Sequence, residues 1–270
     1  MASATFRAVS EEVIELAASG RTAPAFTSRH PDFDAEMGYR VVARLHEHRL
    51  AIGWKPIGRK IGFTNRGIWE RYGVHQPIWG HVYDRTVIHA ERGRATVSLE
   101  GLAQPRIEPE ICFKLKAPPP RAHDASAELP AIEWVAHACE IVQCHHPDWK
   151  MKLPDSIADN ALHGRLVVGT PVPLEQLPGL TEKLPALQVA LMREGQVVER
   201  GVGANVLDSP LLALEYLVEM LALQPRFQQL HAGEIVSTGT LTDAHPVAPG
   251  ETWSTEFSGL AIPGLTIKFE

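Results

Sequence analysis

The chain has 270 residues, 44% of them hydrophobic and 21% charged, with a formal net charge of -6. That is enough apolar material for a large core, and the acidic balance excludes nucleic acid and anionic membrane surfaces as partners. No apolar run reaches the ~20 residues needed to cross a bilayer, and residues 1–7 carry no secretory leader pattern.

Residues 7–19 have helical periodicity, with Val9, Val13, Ile14 and Leu16 on one face and Gly20 as a stop. A second helix is expected over 34–50, where Met37, Val41, Val42 and Leu45 recur at spacings of three to four behind a capping Asp34. Residues 54–64 read as a strand that carries Lys60 between Ile57 and Ile61. Its Gly58 and Gly62 suit close approach by a ligand or another backbone. A short helix over 66–72 leads into Tyr72–His81, a turn-rich loop of Gly, His and Trp.

Strands are expected at 82–88 and 106–116, then an exposed spacer from 117 to 130. Within the second of these strands Arg106, Glu108 and Glu110 alternate with Ile107, Pro109 and Ile111. Period-2 alternation puts both glutamates on one face, two residues apart. Adjacent like charges are tolerated in water or around a cation, and solvation alone would explain this pair. Residues 134–142 are strongly apolar, with Glu140 embedded among them. A lone buried carboxylate is expensive unless it is paired or holds a metal. Glu108, Glu110 and Glu140 together supply three oxygen donors, the preference of Mg²⁺ or Mn²⁺.

Asp155, after Pro154, suits a helix cap as well as a catalytic role. A strand at 166–169, a hairpin of 187–193 with 196–202, a helix over 209–223 begun by Asp208-Ser209-Pro210, and a closing strand at 263–269 complete the pattern. Cys112, Cys139 and Cys144 show no CxxC spacing and read as buried thiols of a reducing, cytoplasmic compartment. There is no P-loop, no GxGxxG after a strand, no GxSxG and no HExxH. His145 and His146 are neighbours that a strand would point in opposite directions, which makes a poor zinc site.

Lys60-Ile61-Gly62-Phe63-Thr64, Gly73-Val74 with Pro77 and Gly80, Ile107-Glu108-Pro109-Glu110-Ile111, Glu140-Ile141-Val142, Asp148-Trp149, Asp155 to Asn160 and Ser237-Thr238-Gly239 occur in that order. This set resembles the fumarylacetoacetate hydrolase superfamily, in its 2-keto-4-pentenoate hydratase and 4-oxalocrotonate decarboxylase branch, over nearly the whole chain. The resemblance implies an α+β, mostly β fold with a mixed β-roll or barrel-like core. A helical N-terminal cover over 1–53 would precede a β-rich, metal-binding catalytic domain over 54–270. It further implies a Mg²⁺ or Mn²⁺ cofactor held by Glu108, Glu110 and Glu140, and a catalytic and substrate-binding Lys60. Asp159 would lie in a catalytic pocket loop, and Ser237, Thr238 and Gly239 would bind substrate. The implied partner is a small 2-oxo acid, handled by a homo-oligomer that can associate with a pathway aldolase or decarboxylase.

Two departures stand out. Where the hydratase pattern continues Glu-Ile-Val-Asp-Ser-Arg, the chain has Glu140-Ile141-Val142-Gln143-Cys144-His145, and where it runs Ala-Asp-Asn-Ala-Ser, the chain has Ala158-Asp159-Asn160-Ala161-Leu162. The expected activity is a metal-dependent hydratase of 2-hydroxydienoates in aromatic-compound breakdown. A decarboxylase or an acylpyruvate-type C–C hydrolase on the same scaffold is the alternative, and a non-catalytic partner subunit is the third reading. A hydrolase should carry an acid–His pair near the N-terminal lid to activate water; Glu47-His48 or His46 could be mistaken for one, but nothing in the sequence places them in the pocket.

Overall fold

The computed structural model describes residues 2–121 and 125–270, so the spacer expected over 117–130 lies partly outside the described residues. Helix α1 (Ala2–Ser19), the single turn α2 (Phe26–Arg29) and α3 (Ala35–Ala51) open the chain. Val9, Val13 and Leu16 of α1 bury against Phe26, Met37, Val41 and Leu45, which is the face the periodicity predicts. Gly20, at φ +62°, ends α1. Asp34 caps α3 by accepting from the Met37 N–H at 2.8 Å. Helix α1 begins at residue 2 rather than 7, because small residues extend a helix without adding to its apolar stripe.

Strand β1 (Pro56–Gly62) follows, then a short helix α4 (Trp69–Tyr72) and strand β2 (Ile78–Tyr83). The last four residues of the expected loop over 72–81 are therefore strand. All six residues of β2 are buried, so neither face shows the polar alternation that betrays a strand. The strand expected over 82–88 is split in turn: β2 ends at Tyr83, and β3 (Val87–His89) starts after a tight turn. Strands β4 (Arg94–Val97), β5 (Arg106–Leu115) and β6 (Ile132–Val142) come next, then α5 (Leu153–Ala158), β7 (His163–Val168), β8 (Val172–Pro173) and α6 (Leu180–Ala186). A hairpin of β9 (Gln188–Arg193) and β10 (Gln196–Val202) turns on Glu194 and Gly195, both at positive φ, the conformation of a two-residue hairpin loop. Helix α7 (Pro210–Ala222) starts at a Ser209 cap, and β11 (Ile235–Thr240), β12 (His245–Pro246), β13 (Thr252–Ser258) and β14 (Thr266–Phe269) end the chain.

The strands make two mixed sheets. The larger runs β2-β1-β11-β5-β6-β7-β3, with β12 on β5 and β8 on β6, and curls into a half-barrel. The smaller runs β10-β9-β13-β14-β4. This is the α+β, mostly β architecture expected. The alternation of β5 divides its side chains between two environments. Ile111, Phe113 and Leu115 face a core shared with Leu211, Leu214, Leu217 and Leu221 of α7. Ile107 meets Cys139, Ile141 and Trp253 in a second core against the smaller sheet. The glutamates are left on the opposite face. The three cysteines are buried free thiols whose pKa burial pushes up, as structural thiols should be. Among the described residues no helix is long and apolar enough to cross a membrane.

The α7 core is what fixes β5, so it is the place to test the fold. Phe113 is fully buried there. Phe113→Ala should cost ~3–5 kcal/mol of unfolding free energy in a denaturant titration. A loss below ~1 kcal/mol would contradict this packing.

Candidate metal centre and active site

Strand parity assembles the site. Glu108 pairs across the ladder with Glu140, and Glu110 with Ala138. Cys112 of β5 pairs with Ser237 of β11, and Ser237 with Lys60 of β1. Opposite residues share a face, as do residues two apart. Glu108, Glu110, Glu140, Ser237 and Lys60 therefore converge from four strands. Oxygens of the three carboxylates lie within 4.8 Å of one another.

The surroundings hold these groups in place without satisfying them. Glu110 Oε2 accepts from the Ser237 hydroxyl at 2.5 Å and the Gly239 N–H at 2.9 Å. Glu140 Oε1 lies 2.7 Å from His163 Nδ1. Lys60 Nζ sits 2.9 Å from Glu140 Oε2 and donates to the Ala161 carbonyl at 3.0 Å. Glu110 Oε1 is buried with no hydrogen-bond partner among the described residues, while Glu140 Oε2 is held by the Lys60 ammonium. Burial, with Glu140 next, pushes the Glu110 carboxyl up to about 8 against the pull of Lys60. Burial likewise takes Glu108 to about 8, opposed by Lys60 and reinforced by Glu110 and Glu140. Glu140 is raised by burial, again against Lys60. For Lys60 burial works to lower the pKa, but Glu140, Glu108 and Glu110 outweigh it and raise it. Three hard oxygen donors with unmet electrostatic demand suit a small divalent cation.

A partly open cavity lies over this patch, lined by Lys60, Glu108, Phe63, Arg106, Trp149 and Leu162 among others. Part of its wall is the turn at 160–162, where Asn160, Ala161 and Leu162 all have positive φ. Left-handed backbone costs a non-glycine residue roughly 1–2 kcal/mol, so something must hold it. The Asn160 side chain accepts from the His81 N–H and donates to the His81 carbonyl, both at 3.0 Å. Gly80 lies beneath, where a Cβ would come within 2.4 Å of the Asn160 oxygen. The strain presents the Ala161 carbonyl to Lys60.

A family model described as fumarylacetoacetate (FAA) hydrolase C-terminal matches residues 75–267. The chain belongs to this family. It is 31% identical over 255 residues to a 2-hydroxyhexa-2,4-dienoate hydratase of Comamonas testosteroni, covering 93% of this chain and 92% of that protein. It is also 31% identical over 240 residues to a 4-oxalocrotonate decarboxylase of Pseudomonas sp. (strain CF600), covering 88% and 87%. The solved 4-oxalocrotonate decarboxylase from Pseudomonas putida G7, complexed with magnesium and adipate, superposes with a TM-score of 0.88 at 28% identity. That match covers 100% of this chain and 98% of the other.

Within this member of the fumarylacetoacetate hydrolase family, the residues expected at the site divide into two groups. Lys60, Glu108 and Gly239 line the cavity, and Glu110, Glu140 and Ser237 adjoin it. Thr238 points to the other face, where its hydroxyl donates to the Ile111 carbonyl at 2.9 Å. Asp159 does not line the cavity. One of its oxygens lies 2.6 Å from His145 Nδ1 and the other accepts the His145 N–H at 3.1 Å. Asp155 is not the first cap of α5 but its third residue, accepting from Thr27 and from the Lys152 N–H. His46 stacks on His81 with ring centroids 4.0 Å apart and meets the Tyr83 hydroxyl, and Glu47 pairs with Arg44 at the surface. Neither stands in the cavity wall. His146 turns to the Ala23 carbonyl and the Phe26 ring, away from any shared site with His145.

Arg106, Trp149 and His163 were not expected at the site. The Arg106 guanidinium lies 4.1 Å from the Trp149 ring centroid. Arg106 was legible, because it shares the parity of Glu108 and Glu110. His163 was not, for a reason of register given below.

The His145–Asp159 pair yields a pH prediction. Burial lowers the His145 pKa, but Asp159 more than compensates and the net shift is upward. A histidine raised in the folded state contributes stability that is complete below its unfolded value of about 6.5 and is lost as pH rises through the folded pKa. Asp159→Asn should therefore cost more at pH 6, by ~1–3 kcal/mol, than at pH 9, in denaturant titrations at the two pH values. A cost that is the same at both pH values would sink the charged-pair reading.

Proposed function

We propose that the chain is a divalent-metal-dependent hydratase of 2-hydroxydienoates, adding water to the 2-oxo-alkenoate tautomer to give a 4-hydroxy-2-oxo acid in aromatic-compound breakdown. The observation that carries this is the grouping of Glu108, Glu110 and Glu140 within 4.8 Å of one another beside Lys60, with Glu110 Oε1 buried and partnerless among the described residues. Glu108, Glu110 and Glu140 would hold Mg²⁺ or Mn²⁺. When bound, the cation supplies Lewis acidity to the carboxylate and 2-oxo oxygens of the substrate. Lys60, pinned between Glu140 and the Ala161 carbonyl, keeps an ammonium where negative charge develops as the dienol ketonises. Its Nζ proton is also placed to be relayed. Phe63, Met151, Trp149 and Leu162 wall off bulk water, which strengthens every charge interaction inside. With the C2 carbonyl polarised, water adds at the far alkene carbon and the 4-hydroxy-2-oxo acid results.

A decarboxylase reading is favoured by one feature, the Arg106 guanidinium. It lies in the cavity wall against Trp149, on the face of the three glutamates and within electrostatic reach of Glu108. A cation there suits a substrate with a second, distal carboxylate. The proposal also includes the homo-oligomer and the cytoplasmic setting that the resemblance implies.

The deciding assay follows turnover of 2-hydroxypenta-2,4-dienoate and of a 2-hydroxymuconate-type dicarboxylate, with Mg²⁺ or Mn²⁺ and after chelation. Metal-dependent loss of dienol absorbance without CO₂, abolished in Glu110→Ala, is the expected result. CO₂ release from the dicarboxylate, lost in Arg106→Ala, would move the chain to the decarboxylase reading. Absence of both turnover and metal binding would leave a non-catalytic subunit.

A separate thermal measurement tests the cation alone. At a metal concentration of ~100 times Kd the folded chain should gain about 2.7 kcal/mol, and Glu110→Ala should remove the gain.

A further inference from the structure

His163 opens β7, and regular alternation would put it on the wrong face. Glu140 pairs with Leu166 and Ile141 with Arg165, so by parity residue 163 belongs with Arg165 on the face turned away from Glu140. The ladder instead continues with Val142 against His163, skipping Gly164. This one-residue bulge resets the parity and turns His163 onto the face of the three glutamates. Only glycine suits the skipped position, since a Cβ there would lie 2.4 Å from the Ile141 carbonyl oxygen.

The imidazole then bridges two buried groups, with Nδ1 2.7 Å from Glu140 Oε1 and Nε2 2.8 Å from Thr86 Oγ1. Thr86 Oγ1 accepts from the Tyr83 N–H at 3.3 Å. Its single hydrogen can go to His163 Nε2 or to the Tyr83 carbonyl at 3.0 Å. Given to Nε2, it leaves the ring proton on Nδ1, where it donates to the carboxylate. The other tautomer would set an Nδ1 lone pair against a carboxylate oxygen at 2.7 Å, which is repulsive. Glu140 Oε1 is thereby committed to His163, and Oε2 is the oxygen left facing the Lys60 ammonium, 2.9 Å away.

We propose that His163 is a positioning residue that fixes the Glu140 carboxylate as a one-oxygen ligand, with Thr86 setting its tautomer. The inference rests on the metal reading of Glu108, Glu110 and Glu140. It gives a purpose to the residue that directly follows the departure at Leu162. Outer partners of this kind tune metal affinity by orienting the ligand.

The test is Mn²⁺ binding to the full-length protein, followed by the electron-spin signal of free Mn²⁺, with circular dichroism as the check on folding. His163→Ala should weaken Mn²⁺ by ~10–100-fold. His163→Asn, whose amide N–H can take the place of Nδ1–H, should recover most of the loss. His163→Gln, larger but with its amide further out, should not. Thr86→Val should weaken binding several-fold with His163 intact. Equal affinities for His163→Asn and His163→Gln would reduce His163 to a space-filling role and overturn the inference, as would wild-type affinity in folded His163→Ala. Should His163→Ala not fold, the Asn/Gln contrast decides. Glu140→Gln is the control: if it keeps wild-type Mn²⁺ affinity, the metal reading itself fails, whereas its loss beside unaffected His163 variants overturns only the positioning role.

Discussion

Glu108, Glu110 and Glu140 set three like charges within 4.8 Å of one another in a patch of sheet that is largely closed to water. Their repulsion is the constraint to which the neighbouring elements answer. Lys60 brings the compensating charge from β1, Ser237 and Gly239 bring donors from β11, and His163 brings another from β7. Each donor arrives only if its strand holds one register, because a one-residue slip would send the side chain to the other face. The apolar half of β5 enforces that register by burying Ile111 and Phe113 against α7. A buried core on one face thus fixes an electrostatically costly arrangement on the other.

Much of this was legible in the residues. Alternation in β5 placed Glu108 and Glu110 together, and the apolar run around Glu140 marked it as a carboxylate needing a partner. Caps at Asp34 and Ser209 located two helices. Other features were hidden for physical reasons. Strand β2 is buried on both faces and so lacks alternation, and its Gly80 reads as a turn residue although it serves close contact with Asn160. Thr238 neighbours Ser237 in a strand, so a motif that takes both as substrate contacts overlooks that they face opposite ways. His163 depends on a bulge, and no local propensity announces which residue a ladder will skip.

The departures from the family pattern around 143–145 read differently once their contacts are known. His145, which stands where the pattern has arginine, pairs with Asp159 and so ties the segment to α5. Gln143 accepts the Ala103 N–H and donates to the His163 carbonyl, tying the segment to the start of β7. Leu162 contributes an apolar wall to the cavity where a serine was expected. These are exchanges of one support for another, and they leave the three glutamates and Lys60 in place.

The parallel pairing of β1 with β11 joins an early strand to a late one, and Lys60 meets Ser237 across it. On a ribosome the centre therefore cannot exist until nearly the whole chain has emerged. Closing so long a loop is slow, since its entropy is lost before its contacts reward it. Until then Glu110 lacks the Ser237 and Gly239 donors that β11 brings to it. The ion can reward completion of the fold, but it cannot start it, and a chain cut short before β11 would carry the ligands without the site.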